Sequence, residues 1–467
     1  MKKTLIKNAD WVITMDDDKS RIKNGDILIC DNAIQAVGNE LDTNEIVDEV
    51  IDARGKVAIP GFVNTHHHCW QSLVRNIHVA NGLKLEPWLA VVYDIFQDVD
   101  ARVVEAGAYV GLGELLKTGC TTSMDHHYVH PAGQEKLIDA QIDAAKKLGI
   151  RFHPTRGNLS IGKTQGSPHV PDTLTENVDQ ILNDYERLIG KYHDDQRFAM
   201  TRVGLAPCWH QLDSTEEVLK ETLQLARKHK VQFHSHLAES AGEVEACLEL
   251  FGCRPVELVR RLDWLGEDVY YAHCVQLNDE EVKLLAETKT GIAHCPISNM
   301  FLNSGVCRVP DLSELGASIG LGVDGAASNN ASNMMTELRT AYLVHRLTYG
   351  VHAPTAEQIL EIATSGGAKV LGRDDIGSIA PNKAADIVLM DWDQLPYAGG
   401  KNDPVACIVM SGDSRLVHTV MVNGQIVVAD GKLISIDERT VTHQINQVGK
   451  NLLQTASERI PSLKMDL

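Results

Sequence analysis

Ala58-Ile59-Pro60-Gly61-Phe62-Val63-Asn64-Thr65-His66-His67-His68-Cys69-Trp70-Gln71 is an apolar run that ends in three consecutive histidines. It reads as a buried strand beginning near Ala58. Alternate side chains of a strand share a face, so His66 and His68 converge on one point while His67 points the other way. Neutral imidazole suits zinc or iron, and two such donors need only a third donor and a carboxylate to close a metal site. A polar loop that happens to hold three histidines is the plain alternative, and the rest of the chain decides between the two.

Downstream, short apolar runs alternate with helical segments. Strands are expected to begin near Ala58, Thr121, Ile150, Thr201, Val231, Val269, Gly291 and Ser318. Helices between them open on capping boxes such as Ser214-x-x-Glu217 and Thr355-x-x-Gln358. Eight strand-helix units predict an α/β fold of the (β/α)8 barrel (TIM barrel) type, whose chemistry lies at the C-terminal ends of the strands. Polar residues fall at those ends. The fifth strand gives Phe233-His234-Ser235-His236-Leu237-Ala238-Glu239, the sixth Tyr271-Ala272-His273-Cys274, and the eighth Leu321-Gly322-Val323-Asp324-Gly325. Any one of these is ordinarily a hydrogen-bonded residue; four strand ends at once are hard to explain that way. Three neutral histidines and one carboxylate leave an open position where the pKa of water falls to about 7. His234 and His236 share a face, and strand alternation leaves the choice between them open.

Both ends of the chain read as β-meander. Trp11-Val12-Ile13-Thr14 and Asp26-Ile27-Leu28-Ile29-Cys30 open the chain. Ala385 to Asp391, then Thr419 to Val422 and Gln425 to Val428 joined by Asn423-Gly424, follow near its end. Neither end holds enough strand to bury a face, so residues 1–56 and 376–467 are expected to pair into one small β-sandwich, with a C-terminal helix, beside a barrel over 57–375.

The 467 residues, 43% hydrophobic, suit a large globular protein. No run approaches the ~18 apolar residues of a membrane span, and the start breaks off too early for a secretory apolar region, so a cytoplasmic protein with no membrane partner is expected. The ten cysteines include no CxxC pair, against a disulfide scaffold or thiolate knuckle. A net charge of −19 (44 basic, 63 acidic residues) repels phosphate backbones, which excludes nucleic-acid polymers and favours a neutral or cationic small molecule.

Pro60-Gly61-Phe62-Val63-Asn64-Thr65-His66-x-His68, His236-Leu237-Ala238-Glu239, Ala272-His273-Cys274, His294-Cys295-Pro296-x-Ser298-Asn299 and Val323-Asp324-Gly325, in that order, resemble the amidohydrolase superfamily, in its mononuclear deaminase and chlorohydrolase branch. The resemblance covers essentially the whole chain. It implies that His66, His68, His236 and Asp324 hold one divalent ion, zinc or else Fe2+. It further implies that Glu239 is the proton shuttle and His273 the group polarising the attacked site, so that Glu239, His273 and Asp324 form the catalytic set. His234 is then a deeper, hydrogen-bonded residue, and the fourth strand offers no lysine with which to bridge two metals.

A finer resemblance, to 8-oxoguanine and isocytosine deaminases, runs through His66-His67-His68-x-x-Gln71, Gly119-Cys120-Thr121-Thr122-Ser123-x-Asp125-His126-His127-Tyr128 and Thr155-Arg156-Gly157-Asn158-Leu159-Ser160-Ile161-Gly162. It implies release of ammonia from a free heterocyclic base. Gln71 and Arg156 would grip the base edge and Trp88 would lid it, with His126, His127 and Tyr128 as further pocket candidates and His130 and His294 structural. A homo-oligomer, in the simplest case a dimer, is expected. The rival readings are an s-triazine chlorohydrolase or aminohydrolase with the same metal site, and a non-catalytic assembly protein of this fold.

Overall fold

The computed structural model describes residues 1–41, 47–208 and 213–463. Eight parallel strands close into a barrel in the order β4-β5-β6-β7-β8-β1-β2-β3. They are β1 (Phe62–Asn64), β2 (Cys120–His127), β3 (Arg151–Arg156), β4 (Gly204–Leu205), β5 (Phe233–Leu237), β6 (Val269–His273), β7 (Gly291–His294) and β8 (Ile319–Leu321). The ring closes where Leu321 of β8 pairs with Asn64 of β1. Seven strands begin within three residues of their expected starts.

The first does not. Lys56–Pro60 belongs to an outer sheet, antiparallel to Ile387–Asp391, and the barrel begins only at Phe62. The expected boundary between residues 56 and 57 therefore moves to Gly61. A side chain there would overlap that of Thr121, so the chain crosses from sheet to barrel at a residue where only glycine fits. The expected capping box at Ser214 is also corrected. Thr215 caps helix Glu216–His229, while Ser214 Oγ accepts from Asn158 Nδ2 at 2.8 Å. Thr355 and Gln358 do cap helix Ala356–Ile362 reciprocally, at 2.9 and 3.2 Å.

The terminal strands, expected as a sandwich, are hydrogen-bonded into one nine-stranded sheet. Its path runs from Lys432–Leu433 through Gln425–Ala429, Val417–Val422, Ile387–Asp391, Lys56–Pro60, Lys3–Ile13 and Arg21–Cys30 to Ala33–Asn39, with Glu49–Asp52 beside Lys3–Ile13. It curls until Ala33 bridges Ala384, enclosing a core of its own that includes Ile6, Ala9, Ile27, Ile29, Leu389 and Met421. Asn423 and Gly424 turn its hairpin with φ of 49° and 77°, the two positive values a two-residue turn of this kind demands. The opposite face, with Val388, Met390, Val420 and Val428, joins the barrel's core.

Helix Glu438–Arg459 returns to the barrel. Leu452 and Ala456 pack in one cluster with Trp70, Trp88 and Phe96, and Arg459 pairs with Asp98. No helix among the described residues is long and apolar enough to cross a membrane.

Candidate active site

Beyond β1 the chain runs through His66 into a two-residue strand, His67–His68, which pairs in parallel with Asp324–Gly325 beyond β8. This pairing, together with the bond from Asp324 N to His66 O at 3.0 Å, sets the Asp324 carboxylate beside both histidines. His67 turns away to Asp324 O (2.7 Å) and Ser332 Oγ (3.3 Å). His273 (φ 73°) and Asp324 (φ 60°) hold left-handed backbone conformations, which cost free energy outside glycine and concentrate where function requires them.

Hydrogen bonding fixes the proton positions. Tyr270 O can only accept, so His234 donates to it from Nδ1 at 3.0 Å and carries a lone pair on Nε2. His66 therefore donates from Nδ1 to His234 Nε2 at 2.9 Å, which leaves a lone pair on its own Nε2. By the same reasoning His68 donates from Nδ1 to His126 O at 2.6 Å and bares Nε2. Burial pushes the His66 imidazole well below its usual range, so the ring is neutral.

The lone-pair-bearing Nε2 atoms of His66 and His68 lie 3.3 and 3.4 Å from Asp324 Oδ1, and His236 Nε2 lies 3.3 Å from His68 Nε2. His66 Nε2 is buried without a hydrogen-bond partner. Lone pairs facing a carboxylate oxygen in a dry cavity repel one another unless a cation lies between them. Three overlapping triads, His66–His236–His273, His68–His126–His236 and His66–His68–Asp324, bring their ligand atoms close enough to hold a metal ion, and the unpartnered His66 Nε2 is the observation a divalent ion there fits.

His273 and Glu239 border the same point. His273 Nε2 is 3.5 Å from Glu239 Oε2 and 3.9 Å from Asp324 Oδ2, and its ring stacks on that of His236 at 5.4 Å and 14°. Residues to which the sequence reading gave no role set these groups. Asn299 Oδ1 holds His273 Nδ1 at 2.9 Å, and Ser298 Oγ donates to Asp324 Oδ2 at 2.5 Å. The Glu243 carboxylate accepts from Ala238 N (2.8 Å) and Glu239 N (2.7 Å) and so shapes the loop that presents Glu239. The signal for Ser298 and Asn299 lay in the motif His294-Cys295-Pro296-x-Ser298-Asn299 itself. Glu243, four residues beyond Glu239, had none.

The cavity above this cluster is lined by His68, Gln71, Trp88, Tyr93, Tyr128 and Cys208 together with Glu239, His273 and Asp324. Gln71 Nε2 donates to Tyr128 OH at 3.2 Å, whereas Gln71 Oε1 and Trp88 Nε1 are buried without partners. A side chain at position 325 would strike Gln71 Oε1, so Gly325 is what admits the amide.

Arg156 is a correction. Its Nε bonds Asp184 Oδ2 (3.2 Å), its Nη2 Glu176 Oε1 (2.6 Å) and its Nη1 Gly157 O (2.7 Å), and the guanidinium lies over the Tyr185 ring. It serves a buried ion-pair network outside the cavity. His127 is its register partner on β2 and also faces outward, against Trp70 and His130. His126 lies beneath the cavity with Nε2 on Ala206 O (2.7 Å), and His294 is paired with His345 (3.2 Å).

A closed parallel barrel with this cluster at its C-terminal mouth defines a hydrolase of metal-dependent type, and the Amidohydrolase family profile matches residues 57–427; the chain belongs to that family. An 8-oxoguanine deaminase of Pseudomonas aeruginosa is 42% identical over 386 residues, covering 83% of this chain and 85% of that one. A hydroxydechloroatrazine ethylaminohydrolase of Pseudomonas sp. is 34% identical over 97% of this chain and 96% of its own length. Among solved structures, a zinc complex of atrazine chlorohydrolase TrzN from Arthrobacter aurescens superposes with a TM-score of 0.91 at 30% identity, covering 96% of this chain and all of that one.

Proposed function

We propose that this protein is an aminohydrolase that releases ammonia from a free oxo-heterocycle of the 8-oxoguanine, guanine or isocytosine kind, with a single zinc ion on His66, His68, His236 and Asp324. The observation that carries the metal is the unpartnered, lone-pair-bearing His66 Nε2 beside Asp324. The names of the relatives above support the substrate class, and zinc is the metal named for the TrzN structure. A net charge of −19 favours a free base over a polymer.

A divalent ion at this site supplies Lewis-acid activation of the attacking water. The protein supplies the rest. Glu239 takes a proton from that water and delivers it to the ring nitrogen beside the amino-bearing carbon. His273, held by Asn299 through Nδ1, turns Nε2 toward the reacting carbon's new oxygen, where charge develops. A second proton lets the amino group leave as ammonia. Gln71 Oε1 accepts from a ring N–H and Trp88 Nε1 donates to a ring carbonyl, the pattern an oxo-heterocycle presents. Two such unmet groups reject an analogue that lacks the matching donor or acceptor.

Glu239→Gln should retain its metal yet lose about 10²- to 10⁴-fold in turnover, measured by ammonia release; near-normal activity removes Glu239 as the shuttle. Hydrolysis of an s-triazine is the second reading, favoured by the 34% identity to the ethylaminohydrolase and by Arg156 being spent outside the cavity. A panel of 8-oxoguanine, guanine, isocytosine, cytosine and amino- and chloro-triazines, scored for both ammonia and chloride, separates the two.

A further inference from the structure

At the end of the barrel opposite the catalytic cavity, a second cavity of about 110 Å³ opens among the N-terminal ends of β3 to β6. His153, His193, Arg202, Lys230, Gln232 and Tyr270 are among the residues of its wall. Arg202 is half-buried and forms no salt bridge among the described residues. Its Nη2 reaches only the carbonyls of Asp195 and Gln196, each at 3.3 Å, and its Nε is buried with no partner.

The adjacent Arg373 is spent differently. It is bidentate on Asp375 (2.7 and 2.9 Å) and donates from Nη1 to His153 Nε2 at 3.0 Å. Since a guanidinium only donates, His153 must accept there and carry its ring proton on Nδ1. Lys230 stands exposed at the left-handed C-cap of helix Glu216–His229, with no ion pair among the described residues. The one carboxylate on the wall, Asp195, is exposed and holds Gln196 Nε2 at 2.8 Å. Burial first, then Arg373, pushes the Arg202 guanidinium below its usual range, against the weaker opposing pull of the Asp375, Asp195 and Asp374 carboxylates.

An acidic protein thus gathers around one small space two cationic side chains that form no salt bridge among the described residues, with His153 beside them. Gln232 Oε1 adds a buried acceptor without a partner, which suits an anion that carries an O–H of its own.

We infer that this cavity binds a small oxyanion of the phosphate class, gripped by Arg202 and Lys230 and completed by His153 and Gln232. Its polar, cationic wall suits inorganic phosphate. Guanidinium and ammonium donors to such an ion make charge-assisted bonds stronger than neutral ones. The site is separate from the catalytic one: Tyr270 forms its wall, and His234, stacked on that ring at 4.2 Å, lies between it and His66.

The test is calorimetric titration of the metal-loaded protein with inorganic phosphate at pH 7.5, with chloride holding ionic strength constant. The expected result is saturable binding of one ion per chain with Kd near or below about 1 mM. Arg202→Gln and Lys230→Gln should each weaken it about tenfold, the effect of losing one charged hydrogen bond, while turnover stays within about twofold of wild type. Should Arg202→Gln fail to fold, Lys230→Gln, at an exposed position, carries the same test. Absence of saturable binding overturns the assignment. So does an affinity indifferent to both substitutions, which is the behaviour of phosphate drawn to the catalytic metal instead.

Discussion

Which nitrogen of His66 carries a proton is decided by Tyr270 O, two hydrogen bonds away through His234. Partners of this kind fix the tautomer of a metal-binding histidine, and losing one costs about 10- to 100-fold in metal affinity. His234→Phe keeps the ring volume against Tyr270 but removes the acceptor. Competition with a chromophoric chelator should show a loss of that size, and an unchanged affinity would refute the relay. Arg156 behaves in the opposite way. Arg156→Met leaves Glu176 and Asp184 without their buried cation and should cost about 3 kcal/mol of stability in a denaturant titration. KM should stay unchanged, since no atom of Arg156 reaches the cavity; a rise in KM without loss of stability would return it to the pocket.

At the scale of elements, the loops after β7 and β8 act as one piece because Glu337, on helix Met334–Tyr349, ties them together. Its Oε1 accepts from Asn329 Nδ2 (2.6 Å), which also bonds Val323 O, and its Oε2 from Ile297 N (3.4 Å). Burial pushes this carboxyl well above its usual range. Glu337→Leu keeps the volume but frees the loop that holds Ser298 and Asn299. We expect kcat to fall about tenfold or more, with KM and metal content nearly unchanged, since positioning partners act through the groups they orient. Equal loss in a variant that no longer binds metal would point to collapse rather than misplacement.

Much of this level was legible beforehand. Histidines or aspartate capping apolar runs marked β1, β5, β6 and β8, because the barrel forces strand ends to one mouth. The break at Gly61 was not legible, since Val57 to Val63 is apolar on both sides of it and a strand buried on both faces shows no alternation. Arg156 was misplaced for a related reason. On such a strand composition does not say which parity faces inward, and only the pairing of His127 with Arg156 shows that both face out. Nor does sequence place Glu243 or Glu337, whose roles arise from hydrogen bonds to main-chain groups and an asparagine that only folding brings near.

Across the whole molecule, His127, His130, His153 and His294 are buried away from the metal ligands, and burial pushes all four well below the usual imidazole range. At these four positions the unfolded chain therefore takes up more protons than the folded one below pH 6.5, so their contribution to stability falls as pH drops through that value, opposed by the buried carboxyls of Asp125, Asp213 and Glu337, whose raised pKa acts the other way. Each histidine contributes up to about 1.4 kcal/mol per pH unit. Guanidinium midpoints at pH 5.5 and 7.5, measured on metal-free protein, should differ accordingly; equal midpoints would mean that these rings charge freely in the native state or that the three carboxyls offset them.

The sheet order has a consequence for biosynthesis. Lys56–Pro60 finds its outer neighbour only in Ile387–Asp391, so at translation speeds of 5 to 20 residues per second the early edge stays unmated for roughly 20 to 60 s. Through that interval a nascent chain offers a bare template for mispairing with its siblings on the same message. Yield in a heterologous host should therefore depend on holdase supply and growth temperature more than on the finished protein's thermal resistance.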